Sequence, residues 1–525
     1  MGEKYILTHD MGTSSNKAVL FTTTGRIAGQ AQQEYPLYHP QPGYAEQDPH
    51  DWVRAVYATT RAVLRDTRVK SDQVEGITFA CQMQTCVAID RQGTPVIPAI
   101  TWLDTRAADI IMKKLWIPPR VMGYNPLRLQ KFLRITGGAP GHTGKDPIGK
   151  ILWLAHHQPT IFQNIHKFLD AKDFVVYQLT GQWVKSIDMA VVWWLLDTRH
   201  NRYQWDEELC ALAGITPDYL PEVRESHSVV GRLTPAAAAE MGLAAGIPII
   251  NGAGDISAAA VGSGALEEGE LYIRLGTSGG VAGHFRKRKI DLIHYTGCIG
   301  STYPEKYYLC LAHQETLGIC LEWMKNKILY HTELLKQEAK DPNLYAVLDR
   351  LAEQAPPGSA GLMFAPWMLG ERSPLDDRYV RAGLFNLSLH HGREHIMRAV
   401  LEGVAFNLRW ALQTVENLYA PVEQLSIIGG GAKSDIWCQI IADITNRQIN
   451  QVADPQQANA RGSAMLASWA LGYVDSFAAI RNHIQIKNSF LPNPKLRGLY
   501  DRLFREFQLL YKQNKRWHAR MNAAI

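Results

Sequence analysis

Asp10-Met11-Gly12-Thr13-Ser14-Ser15 lies between the apolar runs Tyr5-Ile6-Leu7 and Ala18-Val19-Leu20-Phe21, with Lys17 just before the second run. The pattern predicts a strand, a tight turn and a second strand. Half a chain length later, Gly276-Thr277-Ser278 follows another strand-like stretch, Leu271-Tyr272-Ile273. Gly, Asp and Ser favour turns for local reasons alone. A duplicated α/β domain gives the recurrence a second meaning, because a hairpin from each half would face a central cleft, where a ligand is expected.

The chain is long enough for duplication. Its 525 residues exceed what one core supports, and apolar runs of strand length alternate with helical periodicity, which reads as α/β architecture. A turn is predicted at Thr24-Gly25, a helix from about Asp51 to Val69, and a strand over Gly76–Met83. Helical spacing returns over residues 395–419 and 496–511, the latter as a C-terminal packing element. The expected division is a first domain over 1–265, a second over 266–490 and a helical tail over 491–525.

Charge and cysteines narrow the class. A formal net charge of +5 is small for this length. The densest basic cluster, Arg286-Lys287-Arg288-Lys289, has no interleaved aromatics and reads as a solvated loop, so no nucleic-acid partner is expected. Seven cysteines make no CxxC pair and no zinc spacing, which suits a reducing compartment. No apolar run reaches the ~20 residues that span a bilayer, and the N-terminus lacks a signal-like apolar core. The expectation is a cytoplasmic protein without a membrane partner.

A Gly-Thr-Ser turn offers backbone N–H groups and hydroxyls that suit phosphate oxygens. Thr13 and Ser14 fit that task, with Lys17 adding positive charge. An acid beside the turn suits Mg²⁺ bridging to phosphates, which assigns Asp10 to metal. Thr277 belongs to a second clamp of the same kind. After the apolar run Gln424–Ile428 comes Gly429-Gly430-Gly431-Ala432-Lys433-Ser434-Asp435, a strand-glycine-helix arrangement open to close ligand approach. It loosely imitates a dinucleotide fingerprint, Gly429-x-Gly431-x-x-Ser434 with Asp454 downstream. Gly144 to Ile151 imitates a P-loop but ends in Ile where Ser or Thr is needed, and Pro147 suits the first turn of a helix instead. Asp255, delivered by Ile249-Ile250-Asn251-Gly252-Ala253-Gly254, is the carboxylate placed to take a proton from an acceptor hydroxyl.

Eight blocks in order, among them HDMGTSSNKAVLF, ACQMQTCVAIDRQGTPVIPAITWLDTR, NGAGDISAAAVGSG, LGTSGG, APWMLGERSP and IIGGGAKSDIWCQIIADI, resemble the FGGY carbohydrate kinases, nearest the xylulokinase branch. The resemblance implies two actin-like (ribonuclease H-like) ATPase domains around a central cleft. It implies ATP and Mg²⁺ as cofactors, Asp10 as the metal-associated acid, Thr13 and Thr277 at the phosphates, and Asp255 as catalytic base. Gly431, Ala432 and Asp435 match the adenosine stretch, and Gly318 and Glu322 another nucleotide-side position. Sugar contacts fall on Met83, Gln84, Trp102 and Asp255.

The same resemblance makes the reaction phosphorylation of an open-chain ketose hydroxyl, with ribulose, a polyol or gluconate as other acceptors; a homodimer is compatible with it. Where xylulokinases usually read Gln-Met-His-Gly, this chain reads Gln82-Met83-Gln84-Thr85. Ile256 replaces the usual Asn after the base, Asn386 a usual Gly, and His9 an apolar residue before Asp10. A non-enzymatic ATP-binding clamp would need the hairpins but neither Asp255 nor the Trp102-x-Asp104-x-Arg106 block. A dinucleotide oxidoreductase is the more distant rival.

Overall fold

The computed structural model describes residues 2–199, 202–329 and 344–523. They form two compact units, both discontinuous in sequence. Unit 1 holds the chain through Gly262, Cys298–Leu309 and Asn459–His483; unit 2 holds Ser263–Gly297, Cys310–Ala458 and the chain from Ile484.

In unit 1, β1 (Tyr5–Met11), β2 (Ser15–Thr22) and β3 (Ile27–Glu34) form an antiparallel meander. β4 (Val74–Cys81) lies parallel to β1 on its other side. β5 (Val229–Arg232) and β6 (Pro248–Ile250) complete the order β5-β6-β4-β1-β2-β3, with β6 parallel to β4 and β5 antiparallel to β6. β1 and β4 are buried on both faces along nearly their whole length, as central strands are.

Helix α1 (Pro49–Thr67) starts where Asp48 accepts the His50 N–H at 2.9 Å and Pro49 presets the first turn. It buries Trp52, Val56 and Val63. Its Thr59 hydroxyl accepts from the Asn16 amide at 2.8 Å, and the same amide lies 3.1 Å from His9 Nδ1. Burial holds His9 neutral, its pKa lowered to about 3. His9 therefore replaces an apolar residue without placing a charge in the core. α2 (Pro147–His157) and α3 (Asp255–Gly262) also belong to this unit. The helix Ala458–Ala470 packs Ala460, Ala464 and Ala467 against Ile6, Phe21 and Ile250.

Unit 2 repeats the plan. β7 (Leu271–Leu275), β8 (Gly279–Phe285), β9 (Tyr308–Gln314), β10 (Gln424–Ile428), β11 (Gln448–Val452) and β12 (Ile486–Phe490) run in the order β9-β8-β7-β10-β11-β12. β7 and β8 make the hairpin, β10 and β11 add parallel strands, and β12 closes antiparallel. A first hairpin followed by parallel strands, used twice, is the expected actin-like duplication, and each first hairpin carries one Gly-Thr-Ser turn. α4 (Gly318–Trp323), α5 (Arg393–Leu418), α6 (Asp435–Thr445) and the C-terminal α7 (Arg497–Asn522) cover this sheet's unit. α7 buries Tyr500, Phe504 and Phe507, with Phe507 5.7 Å from the Phe406 ring of α5. The basic stretch 286–289 is largely exposed, with Arg286 paired to Glu268 at 3.0 Å.

Candidate active site

The first Gly-Thr-Ser turn is held from behind through its carbonyls. Gly12 N–H donates to Ser15 O at 3.0 Å and closes the turn. The Tyr35 hydroxyl reaches Gly12 O at 2.5 Å and Ser15 O at 3.0 Å, while Tyr35 N–H donates to Ser14 O at 3.0 Å. Gln47 Nε2 donates to Thr13 O at 2.7 Å. Four carbonyl oxygens that would repel an anion are thus already engaged, and the turn can present N–H and hydroxyl groups. Asp10 and Lys17 are cross-strand partners one rung beyond the Met11–Asn16 pair that borders the turn, which puts the acid and the cation on one ladder rung. Trp102 Nε1 donates to the Thr13 hydroxyl at 2.9 Å. Just after Trp102 in the chain, Arg106 pairs with Asp104 at 2.7 Å and Glu46 at 2.6 Å and lies over the Tyr44 ring.

The segment Gln82–Thr85 leaves β4 beside this turn, with Gln82 N–H on Met11 O at 2.9 Å. Gln84 has φ of 64°, an uncommon conformation for a residue with a β-carbon, and three contacts fix it there. Lys150 Nζ donates to Gln84 O at 2.6 Å, Gln84 Nε2 donates to Asp146 Oδ1 at 2.8 Å, and Thr85 N–H donates to Asp170 Oδ1 at 3.0 Å. Lys150 is fully buried, and desolvation brings its pKa down to about 8. It is the lysine of the P-loop imitation, and its commitment to Gln84 confirms that no P-loop forms. Asp170 belongs to a buried group in which Lys185 lies 2.5 Å from Asp173 and Lys172 lies 3.1 Å from Asp173. Charges this deep persist because they are paired. Lys172 also donates to Asn251 Oδ1 at 2.8 Å, which ties the segment to the glycine turn ahead of Asp255.

That turn is shaped by its neighbours. Gly252 has φ of 75°, and a β-carbon there would stand 2.2 Å from Phe79 O. Gly254 donates its N–H to Asp188 Oδ2 at 2.7 Å, and Ser226 donates to Asp188 Oδ1 at 3.0 Å. Asp188 is fully buried, and desolvation raises its pKa. A β-carbon on Gly254 would lie 2.6 Å from the Met83 sulfur, so Met83 packs directly on the backbone that leads to Asp255. Asp255 is the first residue of α3, where a carboxylate is favoured by the helix dipole. Its Oδ1 accepts the Ile256 N–H at 2.9 Å. Met83, Gln84, Trp102, Asp255 and the Asp10 hairpin are therefore brought together in unit 1. Asp146, Asp188 and Lys150, which hold them, were missed from sequence.

In unit 2 the nucleotide-side residues converge on the second hairpin. Gly318 donates its N–H to Gly276 O at 2.8 Å, and Leu317 and Ile319 donate to Thr277 O at 3.1 and 3.3 Å. A β-carbon on Gly318 would lie 2.7 Å from Gly276 O, and one on Gly429 2.7 Å from Leu275 O. Gly431 packs on the Leu275 side chain, so three glycines from two stretches of the chain meet around Leu275–Thr277. Ala432 is buried, and Gln451 Nε2 joins Ala432 O at 2.7 Å to Asp435 Oδ1 at 2.9 Å. Ser434 caps α6 by accepting the Trp437 N–H at 3.1 Å. Glu322 is exposed on α4.

Among the described residues, no three His, Cys, Asp or Glu side chains cluster as a metal site. A single carboxylate beside a hydroxyl turn fits Mg²⁺ that arrives with phosphates and keeps its waters, and does not fit a metal caged by protein alone. Among the same residues, no helix is long and apolar enough to cross a membrane.

Comparison with known proteins points to one family. The N-terminal domain of the FGGY family of carbohydrate kinases matches residues 5–262, and its C-terminal domain matches residues 271–471. A gluconokinase of Bacillus subtilis is 31% identical over 482 residues, covering 91% of this chain and 90% of its own. A xylulose kinase of the same organism is 28% identical over 513 residues, covering 98% and 97%. A ligand-bound xylulose kinase from Lactobacillus acidophilus superposes with a TM-score of 0.86 at 26% identity, covering 99% of this chain and 100% of its own.

Proposed function

The chain belongs to the FGGY family of carbohydrate kinases, phosphotransferases that use ATP with Mg²⁺, and from that premise we propose that it phosphorylates a terminal hydroxyl of an open-chain sugar or sugar acid, with Asp255 as general base. The observation that carries the reading is the seating of Asp255. Its preceding glycine is pinned by Asp188 on one side and by Met83 on the other, so the carboxylate is fixed next to the residues assigned to the acceptor.

In this reading Asp255 takes the proton of the acceptor hydroxyl as its oxygen attacks the γ-phosphorus in line. The new P–O bond forms as the bond to ADP breaks. Thr13, Ser14 and Lys17 from one hairpin and Thr277 from the other supply donors to the phosphate oxygens. Asp10 would hold Mg²⁺ beside the turn, and the bound ion would supply positive charge to the polyphosphate. Gly318, Glu322, Gly431, Ala432 and Asp435 serve the nucleotide. Met83, Gln84 and Trp102 wall the acceptor.

The names of the relatives support an open-chain ketose and a sugar acid about equally. A coupled ADP-release assay over ketoses, polyols and aldonates tests the reading. Acceptor-dependent ADP release is expected, and its absence with every acceptor would overturn the proposal.

A further inference from the structure

We infer that Glu371 is a positioning residue for the nucleotide, acting through the backbone of residues 315–318 on the second Gly-Thr-Ser turn. The inference rests on the reading above that this turn and Gly318 serve ATP. Glu371 is 4% exposed. Its Oε1 accepts the N–H groups of Glu315 and Arg372, each at 2.8 Å, and its Oε2 accepts Asn407 Nδ2 at 2.6 Å. The Asn407 amide is oriented by Trp367, whose indole can only donate and gives its Nε1–H to Asn407 Oδ1 at 3.2 Å. Three donors from three places in the chain thus meet on one carboxyl group. Burial pushes its pKa up to about 8, against the pull of these donors.

The side that holds the carboxyl group is closely packed. A β-carbon at Gly403 would stand 2.1 Å from Phe364 O, so α5, which carries Asn407, rests directly on the strand Met363–Ala365. From that strand the chain runs on to Trp367 and Glu371.

The side that is held leads to the turn. The Thr316 hydroxyl donates to Pro366 O at 2.7 Å, Ser373 N–H donates to His313 O at 2.9 Å, and Arg372 pairs with Glu315 at 2.6 Å. Residues 313–316 are therefore laid along residues 366–373, with the Glu371 carboxyl group at the join. Immediately beyond, Leu317 and Gly318 donate to Thr277 O at 3.1 Å and Gly276 O at 2.8 Å. A buried group that gathers several donors fixes their relative positions, and here the fixed positions run from Asn407 through Glu371 and Glu315 to the turn. All of these residues belong to unit 2, whereas Met83, Gln84, Trp102 and Asp255, assigned to the acceptor, belong to unit 1. The effect of Glu371 is accordingly expected on ATP and not on the acceptor.

The test compares wild type with Glu371→Gln, Glu371→Asp, and the double variant Glu371→Gln with Asn407→Asp. It measures KM for ATP, KM for the acceptor, and ADP binding by calorimetry, which needs no turnover. In Glu371→Gln an NH₂ group faces a donor, and losing a buried hydrogen bond to a charged group is worth roughly 10- to 150-fold. KM for ATP and the Kd for ADP should rise by that factor, with KM for the acceptor nearly constant. The double variant moves the carboxylate across the same contact: the new amide at 371 can donate to the new carboxylate at 407, which still accepts from Trp367. It should recover most of the loss, an outcome that a general loss of folding would not give. Glu371→Asp keeps the charge but is one methylene too short to hold all three donors, so it should show the same split between the two KM values, and it carries the test if Glu371→Gln does not fold. Unchanged ATP and ADP affinity in the Glu371 variants, an equal rise in both KM values, or a double variant no better than Glu371→Gln would overturn the inference. Unchanged ATP affinity in Gly318→Ala as well would overturn the nucleotide reading of the turn itself.

Discussion

Met83 lies on the backbone of Gly254, so close that a β-carbon at Gly254 would stand 2.6 Å from its sulfur. Gly254 in turn precedes Asp255 and gives its N–H to Asp188. Gly254→Ala should push Met83 off the turn or drag Asp255 out of register. Overpacking of this kind costs roughly 1–3 kcal/mol. The expected result is a fall in kcat of at least about tenfold, since small displacements of a reacting group are expensive, with KM for ATP nearly constant. A Gly254→Ala enzyme with wild-type kcat would show that the Met83 contact does not position the base.

Asp255→Asn keeps the shape of the side chain and removes the proton acceptor. General-base assistance is typically worth ~10²–10⁴ in rate, so kcat should fall by that much with little change in ATP affinity measured by nucleotide titration. Near-normal turnover in this variant would remove Asp255 from the mechanism.

What could be read from the chain beforehand follows from distance. The Gly-Thr-Ser hairpins, the glycine stretch at 429–431 and the approach to Asp255 depend on residue types at fixed local spacing, so sequence exposes them. The partners that hold them depend on pairing across long stretches of chain. Gln84 bonds to Asp146, Thr85 to Asp170 and Gly254 to Asp188, and no local pattern announces such bonds. Asp188 did leave a signal: it is an acid inside the apolar stretch 187–195, and such an acid must find donors. Pro147 was correctly readable as a helix start, yet the same stretch hid the two side chains, Asp146 and Lys150, that fix Gln84. The membership of Asn459–His483 in unit 1 was also hidden. Its helix packs through alanines, which carry no boundary signal of their own.

Gly318 supports the second hairpin through close backbone contact, its N–H 2.8 Å from Gly276 O. Gly318→Ala places a methyl 2.7 Å from that oxygen, and the hairpin must move. With roughly 1–3 kcal/mol at stake, KM for ATP is expected to rise about 5- to 150-fold, while KM for the acceptor changes far less. Steady-state kinetics with each substrate varied in turn checks the split. Equal effects on both would argue that the change reports lost folding rather than lost nucleotide contact.

His9 makes stability depend on pH in a predictable direction. Unfolded, it titrates near its ordinary value of 6.5; folded, burial lowers that to about 3, against the opposing hydrogen bond from Asn16. Between these values the native state binds fewer protons than the unfolded state. The stabilisation is therefore complete above pH 6.5 and is lost as pH falls toward 3, by up to about 1.4 kcal/mol per pH unit. His9→Gln cannot titrate. At pH 8 it should be less stable than wild type by roughly 1–3 kcal/mol, the cost of a disturbed buried hydrogen-bond network around Asn16, Thr59 and Thr60. That gap should narrow steadily as the pH is lowered from 6.5 to 5, because only the wild type loses the His9 contribution. Thermal midpoints of both proteins at pH 8, 6.5 and 5 measure it. A gap that stays constant across the three would mean that His9 is not held neutral inside unit 1.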